Sequence, residues 1–496
     1  MMGLPVVTNE PHSPVQSFFA DARLRWILVL SVVLVVCSNL ETNAAIWLNA
    51  ALGHAGALGA RGWTIIMAAR VLLSALLVVA VLRLPTTTAA GGARTKSASL
   101  RVSSFDPLLG LRALACMMVM LGHYFIVVFG SGNAPNEGVT LGKILMMPVR
   151  SSPWAGVWIF FTLSGYLMGK GFERRRYALD GAGVRNFYRN RLLRIVPVYM
   201  AAVVLFAVFV QPEVWLPRNA WQMAQLAVFD FRGNTPFVAV GALWSVCTEV
   251  QFYLLAPFLF AGLYAAHRRW PAAFWWGIAM LYPLCTVARL ACTHWPNYPA
   301  TAAYAGIAGL NPYQMLCYPT LPFNLDLFVV GMSLNLMPKS VALGRLVRSG
   351  GGLVALGGLL YVFATLSANL LHVLHIGFLQ FWAVCPVFCS LLAAVFILCA
   401  ERRPRVPHTR TLRGRCLRAV EGTGVLAYAL YVFHSQIFIS IRTLLPAPRL
   451  ANGTQLLYLP LAFALTFAVA TFFYRFVEQP FEQRKHVLDG PVTDAP

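Results

Sequence analysis

The chain has 496 residues, 58% of them hydrophobic and 11% charged, and its 39 Lys and Arg against 17 Asp and Glu give a formal net charge of +22. A soluble domain carries about 25% charged residues, so this chain cannot clothe itself in charge, and a soluble globular protein is excluded. The basic residues lie between long apolar runs, which sets nucleic acid aside as a partner and makes the charge a topology signal in a multi-pass membrane protein.

A bilayer core needs about 20 apolar residues per helix. Spans are predicted near 26–50, 62–83, 106–130, 153–169, 194–211, 242–266, 270–290, 321–337, 352–375, 377–400, 424–445 and 455–477. The first is interrupted by Asn39, Glu41 and Asn43, and the second holds Arg70. The polar stretch 84–104, with Pro85-Thr-Thr-Thr and Gly91-Gly-Ala-Arg-Thr-Lys-Ser, reads as a linker. The expected organisation is therefore an N-terminal segment 1–83 with two helices, the linker, a ten-helix block 105–485 and a short tail 486–496. With the N-terminus placed in the cytosol, most of the Lys and Arg fall in cytosolic connections, as the positive-inside rule requires. Twelve spans with both termini cytosolic follow, in a plasma membrane or an endomembrane.

Ionisable groups within a span are costly and usually face a cavity or one another. Arg112 and His123 share the third span, and eleven residues advance a helix about 16 Å and just over three turns, so both face nearly the same way. Glu249 lies seven residues below the outer boundary of its span, as does His123, and Asp326 five residues below. A His and two carboxylates at similar depth form a candidate acid/base site. Tyr431 and His434 lie in the inner to middle part of their span. The arginines Arg174-Arg-Arg, Arg185, Arg189, Arg191 and Arg194 are topology determinants facing anionic lipid, or a clamp for a phosphorylated ligand. Ten cysteines contain no C-x-x-C pair, so they are read as packing residues and no metal site is expected. Chemistry alone leaves enzyme, transporter and scaffold open.

Several ordered motifs narrow this. Gly110-Leu-Arg112 followed by His123-Tyr124 has the form R-x10-H. Gly156-Val-Trp-Ile-Phe-Phe-Thr-Leu-Ser164-Gly165-Tyr-Leu, Arg191-Leu-Leu-Arg194-Ile-Val-Pro197 and Trp244-Ser245 with Glu249 and Phe252-Tyr253 follow. Asp326-Leu-Phe-Val-Val-Gly331, Tyr428-Ala-Leu-Tyr431-Val-Phe-His434 and Val477-Glu478-Gln-Pro480-Phe481 complete the series. Over 105–485 the chain resembles the acyltransferase-3 family of integral membrane O-acyltransferases. It departs from that family's pattern at Leu109, where an Asp is common, at Trp158, where an acidic residue is common, and in lacking the Arg frequent ahead of the D-x-F element.

The resemblance implies an all-α polytopic membrane protein, a ten-helix bundle preceded by two extra transmembrane helices. It implies transfer of an acyl group, usually acetyl, from cytosolic acyl-CoA to a hydroxyl of a carbohydrate, lipid-linked or small-molecule acceptor, with no bound cofactor. His123 would act as general base or transient acyl carrier, Arg112 would stabilise developing negative charge, and Glu249 would orient His123 or the acceptor. Arg191 and Arg194 would hold the CoA phosphates. Ser164, Ser245, Tyr253, Asp326, Tyr431 and His434 would bind substrate. The rival expectation is a secondary transporter of an anionic solute, which would be supported by inverted repeats or paired broken helices, and none is visible. Two loop features are left open: Cys292 and Cys317 share an outer loop, where an oxidising compartment would allow a disulfide, and Asn452-Gly-Thr454 is a glycosylation sequon with meaning only in a eukaryotic secretory membrane.

Overall fold

The computed structural model describes residues 14–51, 60–86, 104–128, 151–210, 212–216, 220–229, 242–293, 320–337, 350–373, 378–401, 407, 409–444 and 455–485. These residues are almost entirely helical, and among them no strand forms beyond an isolated bridge between Ser104 and Pro407. In chain order the helices are α1 (Pro14–Ala20), α2 (Ala22–Ala51), α3 (Ala60–Leu82), α4 (Pro107–Val128), α5 (Pro153–Glu173) and α6 (Gly181–Phe209). They continue as α7 (Ala220–Ala227), α8 (Trp244–Arg269), α9 (Pro271–Thr293), α10 (Leu325–Ser333), α11 (Gly350–Val373), α12 (Phe378–Glu401), α13 (Leu412–Leu444), α14 (Gln455–Phe473) and α15 (Gln479–Glu482). Each of the twelve predicted spans coincides with one of them. By length and composition, seven described helices are able to cross a membrane. The Cys292 side chain, Cys317 and Asn452 lie outside the described residues.

Helix ends follow local chemistry. Asp106 accepts the backbone N–H of Leu108 at 2.9 Å ahead of Pro107, so it caps α4. Its own N–H is held by Glu421 of α13 at 2.5 Å. Asp180 caps α6 through the N–H of Gly183 at 2.7 Å. That cap starts α6 thirteen residues before the predicted span, so Arg185, Arg189, Arg191 and Arg194 lie on its first turns and not in a loop. α13 likewise begins twelve residues early. Conversely, α10 is short: Asn324 precedes it and it closes in a 3-10 turn at Leu334–Leu336.

Small residues let the central helices approach. A Cβ on Gly165 of α5 would sit 2.0 Å from the Phe328 carbonyl oxygen of α10, and one on Gly331 would sit 2.0 Å from that of Thr162. The crossing therefore admits only glycine at both points, and it fixes the neighbouring Ser164. α4 lies along α13 through Cys116, Met120, Tyr124, Leu430 and Phe438, all buried, with the Tyr124 and Phe438 rings edge to face at 5.4 Å. α1 to α3 share the core of the larger block: Phe18 meets Phe258 at 5.7 Å, and Arg185 donates to the carbonyl of Leu84 at 2.7 Å. Apolar side chains such as Trp26, Leu72, Trp276 and Phe472 point outward, the arrangement expected of a surface solvated by lipid.

Candidate active site

A cavity of about 300 Å³ opens among α4, α5, α6, α8, α13 and the chain end after α14. Arg112, Arg176, Arg191, Arg194, Glu482 and Lys485 line it together with Ser164, Ser245, Glu249, Tyr253, Tyr428 and Tyr431. The apolar remainder comes mainly from α5, including Phe160 and Phe161.

The carboxylate of Glu249 is shared by two hydroxyls. Ser164 donates to it at 2.6 Å and Tyr253 at 2.5 Å. Both donors reach the same oxygen, so the Ser164–Glu249–Tyr253 cluster is a fixed polar wall between α5 and α8. Nearby, the Tyr431 hydroxyl donates to the carbonyl of Ala242 at 2.9 Å and lies 2.5 Å from the Ser245 hydroxyl. With the Tyr431 proton committed to a carbonyl, Ser245 is the donor within this pair.

The cations differ in how far they are neutralised. Arg194 pairs with Glu478 at 2.5 Å and with Glu482, and Glu482 also holds Lys485 at 2.7 Å. Glu478 is fully buried and sits on a π-turn, Tyr474–Glu478, that follows α14. Such turns recur at functional sites because the extra residue re-aims a side chain. Arg191 lies over the rings of Phe187 and Tyr253, at 5.8 and 5.7 Å. Among the described residues neither Arg112 nor Arg191 has an ion pair. The two arginines expected to hold phosphates both line the cavity but differ: Arg191 has no ion pair among the described residues, whereas Arg194 is held by two carboxylates. Burial and the neighbouring Arg194 push the Lys485 ammonium down to about 8, against the opposing pull of Glu482.

His123 does not line the cavity and makes no hydrogen bond to Glu249 among the described residues. It is half-buried, and its Nδ1 lies 3.0 Å from Nε2 of the fully buried His434. The Nδ1 of His434 faces the carbonyls of Tyr431 at 2.7 Å and Leu430 at 3.2 Å. His434 therefore has both nitrogens engaged by the protein, which leaves none for a substrate. Asp326 is not part of the cavity wall either. It lies fully buried against Arg289 of α9 at 2.5 Å, away from the cavity, and Arg289 also donates to the carbonyl of Phe323.

The structure thus gathers Arg112, Arg191, Arg194, Ser164, Ser245, Glu249, Tyr253 and Tyr431 around one space. It sets His123 with His434 behind Tyr431, and it removes Asp326. Sequence reasoning named Arg176 only within an arginine run and Tyr428 only within a motif, and it did not single out Glu482 or Lys485.

Residues 106–475 match the family model of an acyltransferase domain. The acyltransferase MdmB of Streptomyces mycarofaciens is 26% identical over 68% of this chain and 80% of its own length. A putative peptidoglycan O-acetyltransferase, YrhL of Bacillus subtilis, is 24% identical over 66% of this chain and 50% of its own length. The O-acetyltransferase OatA of Staphylococcus aureus is 29% identical over 22% of this chain and 20% of its own length. The chain therefore spans half or less of the last two relatives. No solved structure matches it.

Proposed function

The chain belongs to the acyltransferase-3 family of integral membrane acyltransferases, and we propose that it moves an acetyl group from cytosolic acetyl-CoA to a hydroxyl of a carbohydrate-bearing acceptor. The observation that carries this reading is the polarity of the cavity. One end holds Arg112, Arg176, Arg191 and Lys485, which suits the phosphates of a CoA thioester. The other ends at Ser245 and Tyr431, whose backbone carbonyl binds His434 and so joins the cavity to the histidine pair.

In the twelve-span topology the arginine-rich mouth faces the cytosol and both termini lie there, with 1–83 as a two-helix addition to the 105–485 block. The donor enters from that side and the acceptor reaches His123 from the opposite one. His123 takes the proton of the acceptor hydroxyl as its oxygen attacks the thioester carbonyl. The C–S bond then breaks, and the proton returns to the departing thiolate. Arg112 stabilises the negative charge on the carbonyl oxygen. Glu249, tied to Ser164 and Tyr253, shapes the acyl pocket and does not orient His123. The peptidoglycan in the description of one relative makes glycan polymers the first acceptors to test.

The test is purified protein in nanodiscs, given labelled acetyl-CoA and glycan acceptors, with thiol release and acetyl transfer both measured. Transfer that is lost in His123→Ala at normal folding is expected. Uptake of an anionic solute by proteoliposomes, without consumption of acetyl-CoA, would overturn the reading in favour of a transporter.

A further inference from the structure

We infer that His434 is a positioning residue that locks His123 in one tautomer, with Nε2 of His123 as the atom that handles the acceptor proton. The inference rests on the acyltransferase reading above, but its geometry stands on hydrogen-bond bookkeeping. A carbonyl oxygen can only accept, so the contact of His434 Nδ1 with the carbonyl of Tyr431 at 2.7 Å, backed by Leu430 at 3.2 Å, requires a proton on Nδ1. In the neutral ring Nε2 then carries a lone pair. That lone pair faces His123 Nδ1 at 3.0 Å, so His123 must donate from Nδ1. Its own lone pair is left on Nε2.

The chain of constraint runs further. The Tyr431 carbonyl that orders His434 belongs to a residue whose hydroxyl is anchored on Ala242 and Ser245. The rings of Tyr431, His434 and Phe438 pack successively at 5.7 Å, which holds the His434 plane. When His123 accepts the acceptor proton at Nε2, its Nδ1–H bond to His434 becomes charge-assisted and strengthens. The proton can shift to His434 Nε2, whose imidazolium is then stabilised by the two carbonyls opposite Nδ1. A carboxylate in this place would do the same work at a greater cost, because an isolated ionised carboxylate in an apolar interior loses its hydration. A neutral imidazole meets the need without a standing charge.

Two substitutions separate this role from packing. Gln at 434 can set its carbonyl oxygen near the position of Nε2 and accept from His123, whereas Asn reaches only the Nδ1 position. His434→Gln should keep most of kcat, and His434→Asn should lose roughly 10- to 100-fold, the usual effect of removing an outer partner of a reacting group. The KM for acetyl-CoA should stay within about twofold in both, since His434 does not touch the donor cavity. Nitrogen NMR of histidine-labelled protein reads the tautomer without any turnover. His123 should be protonated at Nδ1 in the wild type and in His434→Gln, and a mixture in His434→Asn. Equal kcat in Gln and Asn variants, or a wild-type His123 protonated at Nε2, overturns the inference. Wild-type protein that transfers no acetyl group while showing the expected tautomer overturns the functional reading alone.

Discussion

Two polar centres buried in this protein use the same side chains to opposite ends. At the junction of α9 and α10, Arg289 and Asp326 pair one to one, with a chain of hydroxyls, Tyr282 to Ser390 to Thr162, packed nearby at 2.8 and 2.7 Å. Around the cavity the cations outnumber the acids that pair with them: Arg194 and Lys485 share Glu478 and Glu482, while Arg112 and Arg191 are left without an ion pair among the described residues. In a one-to-one pair each charge is balanced inside the fold. An excess of positive charge beside a cavity is held at a cost to stability and is paid back only when an anion arrives.

The contrast can be broken most strongly at the closed pair. Asp326→Asn or Arg289→Met strands a buried charge and should cost about 3–5 kcal/mol, read as a large fall in thermal stability by fluorescence-detected chromatography. The double replacement by apolar residues should recover much of that loss. At the open centre the same kind of change should leave stability nearly intact and act on chemistry. Arg112→Ala should lower kcat by about 10²- to 10³-fold if it supports the carbonyl oxygen. Arg191→Ala should mainly raise the donor KM, by roughly tenfold, as the loss of a charge-assisted hydrogen bond would. If either variant loses as much thermal stability as Asp326→Asn, the distinction between the centres fails.

Smaller effects sharpen it. Glu482→Gln frees part of the charge of Arg194, and because the pair is partly exposed the gain is modest, a fall in donor KM of roughly two- to fivefold. Lys485 loses its proton as pH rises through about 8. The cation is therefore present below that pH and lost above it, so donor KM should rise gently between pH 7 and 9. Lys485→Arg should flatten the rise, and an unchanged slope would remove Lys485 from the donor site.

The spans were legible because a bilayer imposes a length and a composition on every crossing, and each predicted span met a helix. The helix starts were less so. Asp180 and Asp106 cap their helices in ways that hydropathy does not register, which is why α6 carries its arginines on helical turns. The candidate site was legible as residue types in ordered motifs, and Arg112, Ser164, Ser245, Glu249, Tyr253 and Tyr431 do meet. The pairing was not legible. Similar depth suggested that His123, Glu249 and Asp326 share a site, but depth leaves the rotation of each helix and its neighbours undetermined. His123 turns to His434, Glu249 to Ser164 and Tyr253, and Asp326 to Arg289.

Composition and the positions of charge by themselves determined that this is a polytopic helical membrane protein, and ordered motifs determined its family. Only the tertiary structure decided which cations remain open, because a charge is neutralised by whatever lies within a few ångströms in space. The π-turn that carries Glu478 to Arg194 and the glycine crossing that seats Ser164 beside Glu249 are both products of helix packing, to which hydropathy is blind.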